Sequence, residues 1–75
     1  MKIGLIGGGA MSEAIIRGAL AGSVAQSENI MVSEPLDERR QWLAESYSVA
    51  TTSVNNEVID GTDIVIIAVK PQSLE

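Results

Sequence analysis

Apolar and β-branched positions along this chain gather in four short runs, and between them lie stretches whose apolar residues recur at helical spacing. The first run, Lys2 to Ile6, predicts a strand. From Ala10 onward Met11, Ile15, Ala19 and Gly22 recur at helical spacing, which predicts an amphipathic helix reaching Leu20. Ala21 to Glu28 is small and polar, the composition of a surface connection. Ile30 to Val32 is a brief second strand closed by Ser33-Glu34-Pro35. Proline cannot continue a central strand and suits the first turn of a helix, so a second helix is expected from Pro35 or Leu36 to Ser46. Leu36, Leu43 and Tyr47 would share its buried face, with Trp42 at the margin. Ser48 to Thr52 reads as a third strand. Ser53 to Asn56 then supplies capping residues for a short helix, Glu57 to Asp60, stopped at Gly61. Asp63 to Val69 is an unbroken β-branched run, as in strands buried on both faces, and Lys70-Pro71 ends it.

The pattern βαβαβαβ is that of an α/β fold, the first half of a Rossmann-type doubly wound parallel sheet. Right-handed crossovers give the strand order 3-2-1-4. The glycine turn then lies at the carboxyl edge, where the order reverses. Gly18, in mid-helix, is expected to be there for close packing, and Glu13 with Arg17 reads as an i,i+4 surface pair.

Composition sharpens this picture without changing it. Seventy-five residues allow one domain that buries only roughly 60% of its unfolded surface, a marginal core. Trp42 and Tyr47 are the only aromatic residues, so the core must be aliphatic. Ten acids against five bases give a net charge of −5, which disfavours nucleic acid and anionic membranes as partners. The chain has no cysteine and no histidine, so disulfides and thiolate metal sites are excluded. No secretory leader is expected, and the longest apolar run, Ile64 to Val69, is far too short to span a bilayer. A cytoplasmic location is the default.

Three consecutive glycines, Gly7 to Gly9, stand between the first strand and the first helix. The free N–H groups at a helix start, with the positive end of its dipole, favour an anion there. Gly7-Gly8-Gly9-Ala10-Met11-Ser12 fits G-x-G-x-x-small: Gly7 for the tight turn, Gly9 for the approach of a pyrophosphate, Ser12 for close packing of helix on strand. A glycine-rich turn can be purely structural, but the strand before it and the helix after it point to a dinucleotide. The dinucleotide is itself an anion, yet net charge is screened beyond about 8 Å at physiological salt, so contact donors prevail. No Gly-Lys-Ser/Thr follows, which excludes a Walker loop. Glu34, 27 positions after Gly7, stands where an acid commonly bonds ribose hydroxyls and favours NADH. Ser33 is the rival contact.

Three stretches, IGLIGGGAM, VSEP and NNEVIDGTDIVIIAVKPQ, together resemble the N-terminal part of pyrroline-5-carboxylate reductase, the NAD(P)H-dependent enzyme that makes proline. The resemblance implies that residues 1–75 are the first part of an NAD(P)-binding domain, inactive alone, and that the C-terminal substrate and dimerisation domain is absent. It implies that Ile6, Gly7, Gly8, Gly9, Ala10 and Met11 wrap the pyrophosphate and that Ser33 or Glu34 meets the adenosine ribose. Asn55 matches a further cofactor contact. Ala68, Val69, Lys70 and Pro71 would run past the nicotinamide half. The cofactor is NADPH or NADH: the family commonly prefers NADPH, and many relatives carry a basic residue near the end of the second strand, a pattern from which Glu34 departs. A cyclic imino-acid substrate and a homo-oligomer belong to the full-length enzyme, and no residue here is nominated as catalytic. Two alternatives stand beside this: a segment of another nicotinamide oxidoreductase of the hydroxyacid dehydrogenase type, and a non-catalytic nucleotide-binding module.

Overall fold

The computed structural model describes residues 1–68. Its elements are β1 (Ile3–Ile6), α1 (Ala10–Ala21), a 3-10 turn (Ser27–Asn29), β2 (Ile30–Ser33), α2 (Asp37–Tyr47), β3 (Ala50–Thr52), α3 (Asn55–Gly61) and β4 (Ile64–Ile67). The four strands pair in parallel in the expected order β3-β2-β1-β4. Ile3 is in register with Ile30 on one side and Ile64 on the other, so β1 is central.

Alternation along β1 assigns the two faces. Leu5 and Val32 join Ile16, Ile30, Leu43 and Val49 in one buried cluster beneath α1 and α2. Gly4 points the other way, onto α3. A side chain there would begin 2.4 Å from Val58 Cγ1 and 2.6 Å from Thr62 Oγ1, so the close seating of α3 on β1 depends on a bare backbone.

Several local expectations shift. In α1 the line facing the sheet is Ser12 and Ile16, with Ile15 and Ala19 partly buried, while Met11 is 58% exposed. The Ser12 hydroxyl donates to the Gly7 carbonyl, which lets a polar residue occupy the innermost position. Glu13 pairs with Arg39 of α2, and not with Arg17. Leu36 is exposed and precedes α2 as its N-cap, so Leu43 is the fully buried anchor of that helix. Ser48 ends α2 in the left-handed region at φ 59°, which shortens β3 to three residues. α3 starts two residues before Glu57, because Thr52 Oγ1 accepts the Val54 N–H at 3.1 Å and also bonds Glu57. Ile64, Val65 and Ile67 of β4 are exposed, since among the described residues this strand has β1 as its one neighbour. Gly18 has nothing within 4 Å of where a Cβ would stand, so packing does not require it.

The two glycines therefore predict opposite outcomes. Gly18→Ala should stabilise the fold by up to about 1 kcal/mol, through higher helix propensity and a less flexible unfolded chain. Gly4→Ala should destabilise it by about 1–3 kcal/mol through overpacking. Urea midpoints of the two variants against the unaltered chain check both signs.

Candidate functional site

The carboxyl ends of β1, β2 and β4 meet around the glycine turn. Gly7 has φ 99°, a conformation that strains any residue with a side chain, and its N–H donates to the Ser33 carbonyl at 2.8 Å. Gly9 is the N-cap of α1, with φ −81° and ψ −160°. The first helical bond runs from the Glu13 N–H to the Gly9 carbonyl at 3.0 Å. Among the described residues nothing accepts from the N–H groups of Gly9, Ala10 and Met11, and all three residues are exposed. A Cβ on Gly9 would meet nothing within 4 Å. The turn thus presents several free donors and the positive end of α1 to open space, a geometry suited to an anion with oxygens on several sides.

Gly8 faces the opposite way and is buried. A Cβ there would lie 2.9 Å from Leu43 Cδ1 and 3.0 Å from Glu34 Cβ. Its N–H donates to Glu34 Oε1 at 2.8 Å, and its carbonyl accepts from Arg39 Nε. The second oxygen of Glu34 accepts the Leu36 N–H at 2.9 Å, and the residue is 8% exposed. Arg39 also bonds Glu13 at 3.2 Å and lies 4.5 Å over the ring of Trp42. Tyr47 donates its hydroxyl to the other Glu13 oxygen at 2.7 Å. That bond holds the Glu13 carboxyl below its ordinary range, against desolvation and with help from Arg39 and Arg17; the same bond raises the Tyr47 phenol. Arg40 caps the Glu34 and Pro35 carbonyls and pairs with Asp37 at 2.9 Å.

Most residues singled out in the sequence converge here. Ser33, 1% exposed, donates its hydroxyl to Asn55 Oδ1 at 2.7 Å, so the tip of β2 is tied to the start of α3. The Ala68 N–H donates to the Ile6 carbonyl at 2.9 Å, which carries the β1–β4 pairing to the edge of the turn. Val69, Lys70 and Pro71 lie outside the described residues. Beside the turn an open groove of about 710 Å³ is lined by Leu36, Asp37, Glu38, Arg39 and Trp42. Sequence reasoning passed over Arg39, Trp42 and Tyr47 as parts of this edge. The sole signal was the basic pair Arg39-Arg40 directly after the β2 tip.

A model of the family described as NADP oxidoreductase coenzyme F420-dependent matches residues 2–75. The chain is 37% identical over 75 residues to a pyrroline-5-carboxylate reductase of Synechocystis sp., covering 100% of this chain and 28% of that protein. It is 42% identical over 72 residues to pyrroline-5-carboxylate reductase 2 of Bacillus subtilis, covering 95% of this chain and 26% of that one. The solved structure of a pyrroline-5-carboxylate reductase from Coxiella burnetii superposes with a TM-score of 0.86 at 30% identity, over 97% of this chain and 27% of that chain. The chain therefore spans about a quarter of the length of these proteins.

The Glu13 contacts predict a pH dependence. A carboxyl held below its unfolded value adds stability that is in full above the ordinary carboxylate range and is lost as pH falls through the lowered pKa. Tyr47→Phe should return the Glu13 pKa part of the way upward and flatten that acid limb. A carboxyl titration of Glu13 by NMR checks it, and an unmoved pKa would show that the phenol does not donate there.

Proposed function

This chain belongs to the family described as NADP oxidoreductase coenzyme F420-dependent, and on that premise we propose that it binds a nicotinamide dinucleotide at the glycine turn. The observation that carries the reading is the set of exposed, unpartnered N–H groups at Gly9, Ala10 and Met11, beside a glycine whose missing side chain leaves open space. A pyrophosphate fits that donor set, since its oxygens accept from several amides and its charge is favourable at a helix start. In this reading Ile6 to Met11 border the pyrophosphate, and the adenosine half extends past Ser33, Glu34 and Asn55 along the Trp42 groove. Ala68 borders the nicotinamide half, a role that the resemblance extends to Val69, Lys70 and Pro71, which lie outside the described residues.

NADPH is the proposed cofactor of choice over NADH. Glu34 is largely buried and holds the Gly8 and Leu36 N–H groups, and the groove carries Arg39, whose Nη1 has no partner among the described residues and suits a 2′-phosphate. The family description names NADP as well.

Within a longer protein, residues 1–75 would be the N-terminal part of the cofactor domain of a pyrroline-5-carboxylate reductase. The similarity to three proteins of that name supports this reading over the others in the family. The bound cofactor would supply the hydride with which such an enzyme reduces the C=N carbon of a cyclic imino acid, the nitrogen taking a proton to give proline. This segment's share is to bind and orient the cofactor, while substrate contacts and dimerisation fall to the remainder of the enzyme.

Gly9→Val should lower dinucleotide affinity at least about tenfold, because a branched side chain fills the open space in front of the free amides. The fold should survive, since φ −81° suits valine and the position is uncrowded. Calorimetric titration with NADPH and NADH measures both claims. An unchanged Kd in the variant contradicts the site, and tighter binding of NADH contradicts the cofactor choice.

A further inference from the structure

We infer that Glu34 and Arg39 are positioning residues that grip the Gly8 backbone and thereby aim the Gly9 N–H at the ligand. The inference rests on the dinucleotide reading and deepens it. It also moves Glu34 away from the ribose-binding role that its place in the sequence suggests.

In a trans peptide the carbonyl and the following N–H point in opposite directions and rotate as one unit. The described residues contain no cis peptide. The peptide between Gly7 and Gly8 is held at both ends: the Gly7 carbonyl accepts from Ser12 Oγ, and the Gly8 N–H donates to Glu34 Oε1 at 2.8 Å. The peptide between Gly8 and Gly9 is held at its carbonyl by Arg39 Nε, on the side of α2. Its N–H, that of Gly9, must then point away from α2, and apart from the chain neighbours no atom comes within 4 Å of where a Cβ on Gly9 would stand. Three successive glycines have more conformational freedom to lose than any other sequence. Side chains that fix both peptide planes remove that freedom before the ligand arrives, and preorganised donors bind more tightly than mobile ones.

Burial argues in the same direction. Glu34 is 8% exposed, and its two oxygens accept from Gly8 and from Leu36, the residue that opens α2. A ribose hydroxyl would have to reach a carboxylate that is largely covered, and drawing that carboxylate toward the ribose would strip the buried Gly8 N–H of its acceptor. Arg39 is itself fixed by Glu13 and by the face of Trp42, so the grip is anchored on both helices.

The test compares the unaltered chain with Glu34→Gln and Glu34→Ala, by amide hydrogen exchange without ligand and by titration with NADPH and NADH. The Gly8 amide should be strongly protected in the unaltered chain, less so in Glu34→Gln, where one carbonyl oxygen still accepts, and unprotected in Glu34→Ala. Affinity should fall about tenfold in Glu34→Ala, by the same factor for both cofactors, and be largely kept in Glu34→Gln. An unprotected Gly8 amide in the unaltered chain overturns the inference. So does a Glu34→Gln variant that changes the preference between NADH and NADPH while leaving Gly8 protected, the signature of a ribose ligand. Should Glu34→Ala fail to fold, the unaltered chain and Glu34→Gln decide between these outcomes by themselves. Failure of both cofactors to bind the unaltered chain would count against the dinucleotide reading, whereas Gly8 exchange reports on the grip independently.

Discussion

The structure depends on how the chain leaves its central strand. β1 is hydrogen-bonded on both sides, and the backbone must pass from it into α1 within three residues without leaving a buried polar group unpaired. Gly7 makes the reversal at φ 99°, and its N–H and carbonyl are taken by Ser33 and Ser12. Gly8 passes so close to Leu43 and Glu34 that a Cβ there would force these side chains to shift. Satisfying those groups ties the tip of β2 and the first turn of α1 to the glycine turn, and among the described residues it leaves the N–H groups of Gly9, Ala10 and Met11 unpartnered.

Electrostatics at this edge are local. The chain carries a net charge of −5, and two of its acids, Glu13 and Glu34, stand beside the proposed anion site. Neither is a free negative charge: Glu34 accepts two backbone N–H bonds, and Glu13 accepts from Arg39 and Tyr47. Arg39 touches the turn, α1 and the Trp42 ring at once, which makes it the link between the anion site and the neighbouring groove.

The strand order and the glycine turn were legible because they follow from short-range patterning and crossover handedness. What the sequence concealed depends on partners distant along the chain. Gly4 looks like an ordinary strand position until Val58 and Thr62 are seen to occupy its Cβ space, and Gly18 looks like a packing glycine until its surroundings prove open. The inner line of α1 was misplaced because Met11 falls at helical spacing with Ile15 and Ala19, whereas Met11 stands 58% exposed and Ile16 is buried beside Ser12, the small residue of the glycine motif. The β-branched run of β4 suggested burial on both faces, yet its exposure is set by which strands lie beside it. Arg39 carries no motif, and its place at the turn shows only in its contacts with the Gly8 carbonyl and Glu13, 31 and 26 positions away in the sequence.

The most direct measurement is a 15N–1H correlation spectrum of the chain titrated with NADPH. The amides of Gly9, Ala10 and Met11 should show the largest shifts, with smaller ones at Arg39 and Trp42, while Gly8 moves little because its N–H stays on Glu34. No shift at Gly9 to Met11, or shifts confined to the α2 groove, would contradict the claim that the free amides of the glycine turn hold the dinucleotide.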